Sequence, residues 1–430
     1  MRKALTVIAA SIAALSAVPA TAIASSTRAA DDSAAHASGS GSVVVDWDRS
    51  LLSIVRTKGA QPATVHATRS FAILSAAIYD AVASITHDAK PYRTVPVSSD
   101  ARPDAAAAEA GHDALVALYP NFQQSLDQLL ATQLAVIPAS TDKQQGIQVG
   151  HAAAIDILAL RAHDGSDAVA PPFVAGTQPG DYRPTPPNFP APVFTHWAKV
   201  TPFLLHDADQ FRPEPPPSLT SDAYADAINE VKALGQSSSA VRAPDQTVVA
   251  NFWAAPIWNY WNEIAQNAAL AHRTDLVRTS ALFLDLNLSF ADSAIAFYDA
   301  KYTFQLWRPV SAIQLADTAG NPDVVGDPNW LPLATTPADP SYPGAHSVIS
   351  AAGAEVLSAF FGDRDSISVT SEVLPGVVRT FDGYRDAATE AGLSRIFAGL
   401  HTRLDHVAGL KLGHEVAEFV LDRMPVPDED

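Results

Sequence analysis

Pro340-Ser341-Tyr342-Pro343-Gly344-Ala345-His346, running directly into SVISAAGAEVLSAFF at residues 347–361, is the segment from which the rest of the chain can be read. Val348, Ile349, Ala352, Val356, Leu357 and Phe360 recur at helical steps, so Ala345 to Phe361 is expected to be a helix opened by a Pro-Gly turn. The turn and the first helical residues carry amide hydrogens with no intrahelical partner, and glycine lets an anion approach them closely. His346, at that helix start, is placed to exchange a proton with an oxygen of a bound group. Taken alone, a histidine at a helix start is more often a structural residue.

The same period extends outward. It recurs at 67–85, where Phe71, Leu74, Ala77, Ile78 and Val82 make one stripe, and at 104–118, 122–136, 145–162 and 222–234. Asp275 to Trp307 reads as one long helix broken by Pro309. There is no internal repeat, no alternating strand pattern and no Gly-rich dinucleotide fingerprint, so the class is all-α. Prolines crowd 167–221, but Phe173, Tyr182, Phe189, Phe194, Trp197, Phe203 and Phe211 are too aromatic for a solvated linker. The expectation is a long loop packed over a helical body. Phe252, Trp253, Trp258, Tyr260 and Trp261 form the densest aromatic cluster, either plain core or a wall of a substrate pocket.

An apolar share of 47% with 17% charged residues marks a globular chain. Arg2-Lys3, the apolar run Ala4–Ala20 and Ala22-Ile23-Ala24 have the three-part layout of a secretory signal peptide, residues 1–24. Export to the extracellular space without a stable membrane anchor is the expectation, followed by a flexible Ser/Ala/Gly leader, 25–42. Residues 43–430 then form a single helical domain, with N-terminal helices at 43–166, the Pro-rich loop at 167–221 and the catalytic helices at 222–425. The net charge of −18 argues against nucleic acid or anionic lipid as a partner. Cysteine is absent, which excludes disulfides and thiolate chemistry.

Two further polar clusters flank the turn. Lys301 and Arg308 are seven residues apart and, on one helix, would share a face; the bland alternative is a solvated basic edge. Asp285, Asp292 and Asp299 form another seven-residue stripe, read as solvent-facing or paired with neighbours rather than catalytic. The last cluster is Ser394-Arg395 with His401 and Asp405. At i and i+4 of a helix, Asp405 would accept the hydrogen of one His401 ring nitrogen and leave the other a lone pair. Arg395 would lie at a helix end or in a turn, bent back toward the pair, with His406 and His414 as surface or supporting residues.

Lys, six residues, Arg-Pro; Pro-x-x-His; Ser-Arg, five residues, His, three residues, Asp: this order resembles the site of the vanadium-dependent haloperoxidases, which share it with the type 2 phosphatidic acid phosphatases and bacterial acid phosphatases. The likeness extends to 69–80, the Pro-rich excursion, Phe252-Trp253 and 291–309, and is nearest to bacterial haloperoxidase-like proteins. It implies an all-helical bundle that holds a tetrahedral oxyanion. By position, Lys301, Arg308, Arg395 and the amides of Gly344 and Ala345 would bind the oxyanion, and His401 would be the axial vanadium ligand. Asp405 would orient His401, and His346 would be the acid/base. The implied cofactor is vanadate, the substrates hydrogen peroxide and halide. On the phosphatase alternative there is no cofactor, the substrate is a phosphate ester, and His401 is a transient phosphohistidine. A third reading is a non-catalytic oxyanion-binding relative. Two departures stand out: Gly344-Ala345 replaces the family's Ser-Gly, removing a hydroxyl, with Ser341 or Ser347 as candidate substitutes, and Thr402 stands where an aromatic residue is frequent.

Overall fold

The long stretch before Pro309 forms the axis of the molecule. In the computed structural model, which describes residues 40–61, 65–97 and 100–427, Leu276–Phe304 is a single helix of 29 residues, here α9. Asp275 caps it, its carboxylate accepting the Arg278 amide at 2.8 Å. It is long and apolar enough to cross a membrane by length and composition, yet its most apolar window is wholly buried inside the protein. The expected signal peptide and the leader as far as residue 39 lie outside the described residues.

Before α9 come α1 (Ser42–Arg56), α2 (His66–Thr86), α3 (Pro103–Leu118), α4 (Gln123–Ala135), α5 (Thr141–Arg161), α6 (Asp222–Leu234), α7 (Pro244–Phe252) and α8 (Ile257–His272). After it come α10 (Pro309–Gln314), α11 (Ala345–Phe361), the strands β1 (Ile367–Thr370) and β2 (Val378–Phe381), α12 (Tyr384–Phe397) and α13 (Arg403–Leu421). Helical order begins at Ser42, one residue before the expected boundary. One side of α9 packs on α2, which also meets α3 and α5; the other packs on α11 and α13. Gly39–Asp430 form one compact unit.

The β1–β2 hairpin, antiparallel with Ile367 opposite Phe381, was not expected. Four residues per strand are too few to show an alternating pattern. The acidic stripe of α9 is not solvent-facing. Asp285 and Asp292 are fully buried, and only Asp299 pairs at the surface side, with Arg212. Burial holds Asp285 well above the usual carboxylate range.

Asp292 explains how the Pro-rich excursion is held. Its two oxygens accept the amides of Phe203, Leu204 and Leu205 at 2.7, 2.8 and 2.9 Å. Apart from a three-residue 3-10 turn at Trp197–Lys199 the excursion is irregular, and it buries Tyr182 and Trp197 against the body. The Tyr182 amide donates to Gln305 O, the Trp307 amide to Gly180 O, and the Val193 amide to Ala338 O. The excursion thereby braces both chain segments that lead into the polar clusters.

Candidate oxyanion site

Lys301 and Arg308 do not share a helix. Gln305 takes a left-handed conformation, φ 48°, and ends α9 at Phe304, well before Pro309. Arg308 is instead the extended N-cap of α10, whose first residue is Pro309, where proline's fixed φ suits a helix start. The reversal, not helical periodicity, returns Arg308 toward Lys301.

His401 likewise precedes its helix. α12 ends just after Arg395, Gly399 turns the chain at φ 80°, and α13 begins at Arg403 with Thr402 as N-cap. The Thr402 hydroxyl accepts the Asp405 amide at 3.3 Å and Asp405 Oδ2 accepts the Thr402 amide at 2.6 Å, a capping box. His401 and Asp405 still meet, with Nδ1 and Oδ2 3.4 Å apart, because the box turns the carboxylate back across the helix start. α11 and α13 lie close enough that a Cβ at Gly413 would sit 1.9 Å from Val348 O. Only glycine permits that approach, and it brings the start of α11 beside Asp405.

Lys301, Arg308, Ala345, His346, Arg395 and His401 line one cavity of about 390 Å³. Val193 and Phe194 of the Pro-rich excursion form part of its wall, as does Trp258. Of the expected aromatic cluster, Phe252, Trp253, Tyr260 and Trp261 are core, though the Trp253 carbonyl meets the site by accepting from His346 Nε2 at 3.0 Å and Arg395 Nη1 at 3.4 Å.

Arg308 Nη1 donates to His401 Nε2 at 3.1 Å and to Leu400 O at 2.9 Å. Guanidinium is donor-only, so Nε2 is the nitrogen without hydrogen, and Nδ1 carries one toward Asp405. Burial, then Arg308, pushes His401 down to about 3, so the ring is neutral with its lone pair on Nε2. Burial and then Arg395 hold His346 well below the usual histidine range, and with its Nε2 hydrogen given to the Trp253 carbonyl, Nδ1 is the ring nitrogen left to accept. Burial lowers Lys301 to about 8 and Arg395 to about 10.

Gly344 is not available as expected: its amide donates to Asp405 O at 2.9 Å and it does not line the cavity, whereas Ala345 does. Neither candidate serine replaces the missing hydroxyl. Ser341 Oγ donates to Asp405 Oδ2 at 2.8 Å, and Ser347 Oγ pairs with His406 Nδ1 at 2.8 Å. His406 is buried and takes the supporting role through Ser347; His414 is half-exposed between Glu355 and Glu418. Sequence reasoning missed Asp339, which is buried, pairs with Arg308, and lines the same cavity. Its only signal was a lone acid just upstream of the Pro340–His346 segment.

The fold agrees with that of solved structures: a bacterial vanadium-dependent iodoperoxidase matches with TM-score 0.78 and 24% identity, covering 91% of this chain and 98% of its own. The chain has the vanadium haloperoxidase fold. A holo-type bacterial vanadium-dependent chloroperoxidase shares this haloperoxidase fold at TM-score 0.66 and 16% identity, with 86% and 94% covered. Residues 281–426 match the family described as the VCPO second helical-bundle domain, a range that contains all three polar clusters. The vanadium chloroperoxidase of Curvularia inaequalis is 26% identical over 52% of this chain and 49% of its own length, so the chain spans about half of that relative. The family resemblance read from the motifs thus holds in sequence and in fold.

Proposed function

We propose that the protein is a secreted enzyme of the vanadium haloperoxidase type, oxidising halide with hydrogen peroxide at a vanadate held by His401. The observation that carries this is the neutral His401, its unprotonated Nε2 on the side of Arg308, in a cavity shared with Lys301 and Arg395. Three cations and one imidazole lone pair are the donor set a tetrahedral metal oxyanion requires, so vanadate fits. Bound vanadate supplies the activation of peroxide. The chain's own groups do the rest: Lys301, Arg308 and Arg395 neutralise oxyanion charge, and Asp405 keeps the hydrogen on Nδ1 so that Nε2 stays a ligand. His346, neutral at the cavity edge, takes and returns a proton at an oxygen of the bound group. Phe194 and the buried Trp258 form an apolar side of the cavity, which strengthens the ionic contacts inside.

The same nitrogen would be the nucleophile of a phosphatase, with His401 as transient phosphohistidine. The test is turnover of residues 25–430 after orthovanadate loading, with peroxide and bromide or iodide against a halogen-accepting dye, beside an unloaded sample given a chromogenic phosphate ester. Vanadate-dependent halogenation that His401→Ala abolishes is the expected result. Ester hydrolysis blocked by vanadate would move the protein to the phosphatase alternative, and full turnover by His401→Ala would refute both.

A further inference from the structure

A buried carboxylate in a cavity built to hold an anion requires a reason. Asp339 is 7% exposed and lines the cavity beside Lys301, Arg308 and Arg395. Its Oδ1 accepts from Arg308 Nη2 and lies 3.7 Å from Lys301 Nζ, while its backbone oxygen accepts from Arg308 Nε at 2.7 Å. The segment is fixed from behind: Lys301 Nζ donates to the Pro340 and Ser341 carbonyls, and Ala338 O accepts the Val193 amide. Asp405, the other acid near the site, is different. It is completely buried behind His401, its Oδ2 accepts from Thr402 and Ser341, and it does not reach the cavity.

An ionised carboxylate only accepts hydrogen bonds. Facing a tetrahedral oxyanion that carries a hydroxyl, it can take that hydrogen. Facing one with no hydrogen, it sets oxygen against oxygen and charge against charge, and competes with it for Arg308. Rejection of a wrong ligand by a like-charged group is a physical route to specificity.

We propose that Asp339 makes the cavity selective for protonated tetrahedral oxyanions, such as dihydrogen vanadate or dihydrogen phosphate, over fully ionised ones such as sulfate. This rests on the oxyanion-site reading above and adds a specificity-determining residue to it. The Asp339→Asn variant replaces one acceptor by a donor at nearly constant shape, so sulfate gains a partner where it met repulsion.

The experiment is calorimetric titration of metal-free residues 25–430, wild type and Asp339→Asn, with inorganic phosphate and with sulfate at one slightly acid pH where phosphate keeps its hydrogens. Wild type should prefer phosphate, and Asp339→Asn should narrow the phosphate-to-sulfate affinity ratio by roughly tenfold or more, chiefly by gaining sulfate. Asp339→Glu, which keeps the charge, should retain a preference for phosphate. An unchanged ratio in Asp339→Asn with phosphate bound overturns the role of Asp339 alone. No binding of phosphate, sulfate or orthovanadate to either protein overturns the oxyanion-site reading, and this inference with it. Should the variants not fold, arsenate and selenate titrated into wild type decide the matter: preference for arsenate supports the proposal, and equal affinity overturns it.

Discussion

Replacing Gly344 by serine should restore a hydroxyl to the turn and tighten vanadate binding. Gly344 has φ −78° and ψ 110°, extended backbone that any residue adopts, and it is the N-cap of α11, where serine is favoured. A Cβ built there would lie 3.3 Å from Asp405 O, 3.5 Å from Asp405 C and 3.6 Å from Ser347 Oγ, so a shift of a few tenths of an ångström accommodates it. The Gly344 amide would keep its bond to Asp405 O. A hydrogen bond to a charged group contributes about 1.5–3 kcal/mol, roughly tenfold to a hundredfold in affinity. The assay is orthovanadate affinity of the metal-free protein by calorimetry or equilibrium dialysis, with thermal denaturation alongside. An unchanged affinity in a folded Gly344→Ser protein would refute the reasoning. If stability rises at the same time, the hydroxyl has turned onto the first-turn amides of α11 as an ordinary cap.

Lys301, held at about 8, loses its proton as pH rises past that value in the anion-free protein, so oxyanion affinity should fall there. Lys301→Arg should move that fall to higher pH, and comparing the two proteins at each pH cancels the anion's own titration. His401 acts on stability in the acid direction. Its folded value of about 3 lies below the ordinary 6.5, so between these limits the unfolded chain binds a proton that the folded chain refuses. Stability contributed by the neutral ring is complete above the ordinary value and is lost as pH falls from about 6.5 toward about 3. His401→Gln should flatten that limb, read as the difference between denaturation midpoints at neutral and acid pH; equal slopes would refute it.

The all-α class, the positions of α2 to α5 and the identity of the three polar clusters were legible in the sequence by itself. Apolar periodicity is a local property, and cations, histidines and a Pro-Gly turn stand out against an Ala-rich background. Periodicity misplaced Arg308 and His401 on helices, because the breaks at Gln305 and Gly399 depend on left-handed backbone at single residues. Tertiary structure alone decided that the Gly344 amide is spent on Asp405 O, that Ser341 and Ser347 serve Asp405 and His406, and that Asp339 enters the site. It also decided that Asp292 ties down the Pro-rich excursion, which then supplies a wall of the cavity. In each case the partner is remote in the chain or reached only by a turn. Spacing along a helix carries no information about which donor a given acceptor will find once distant segments pack together.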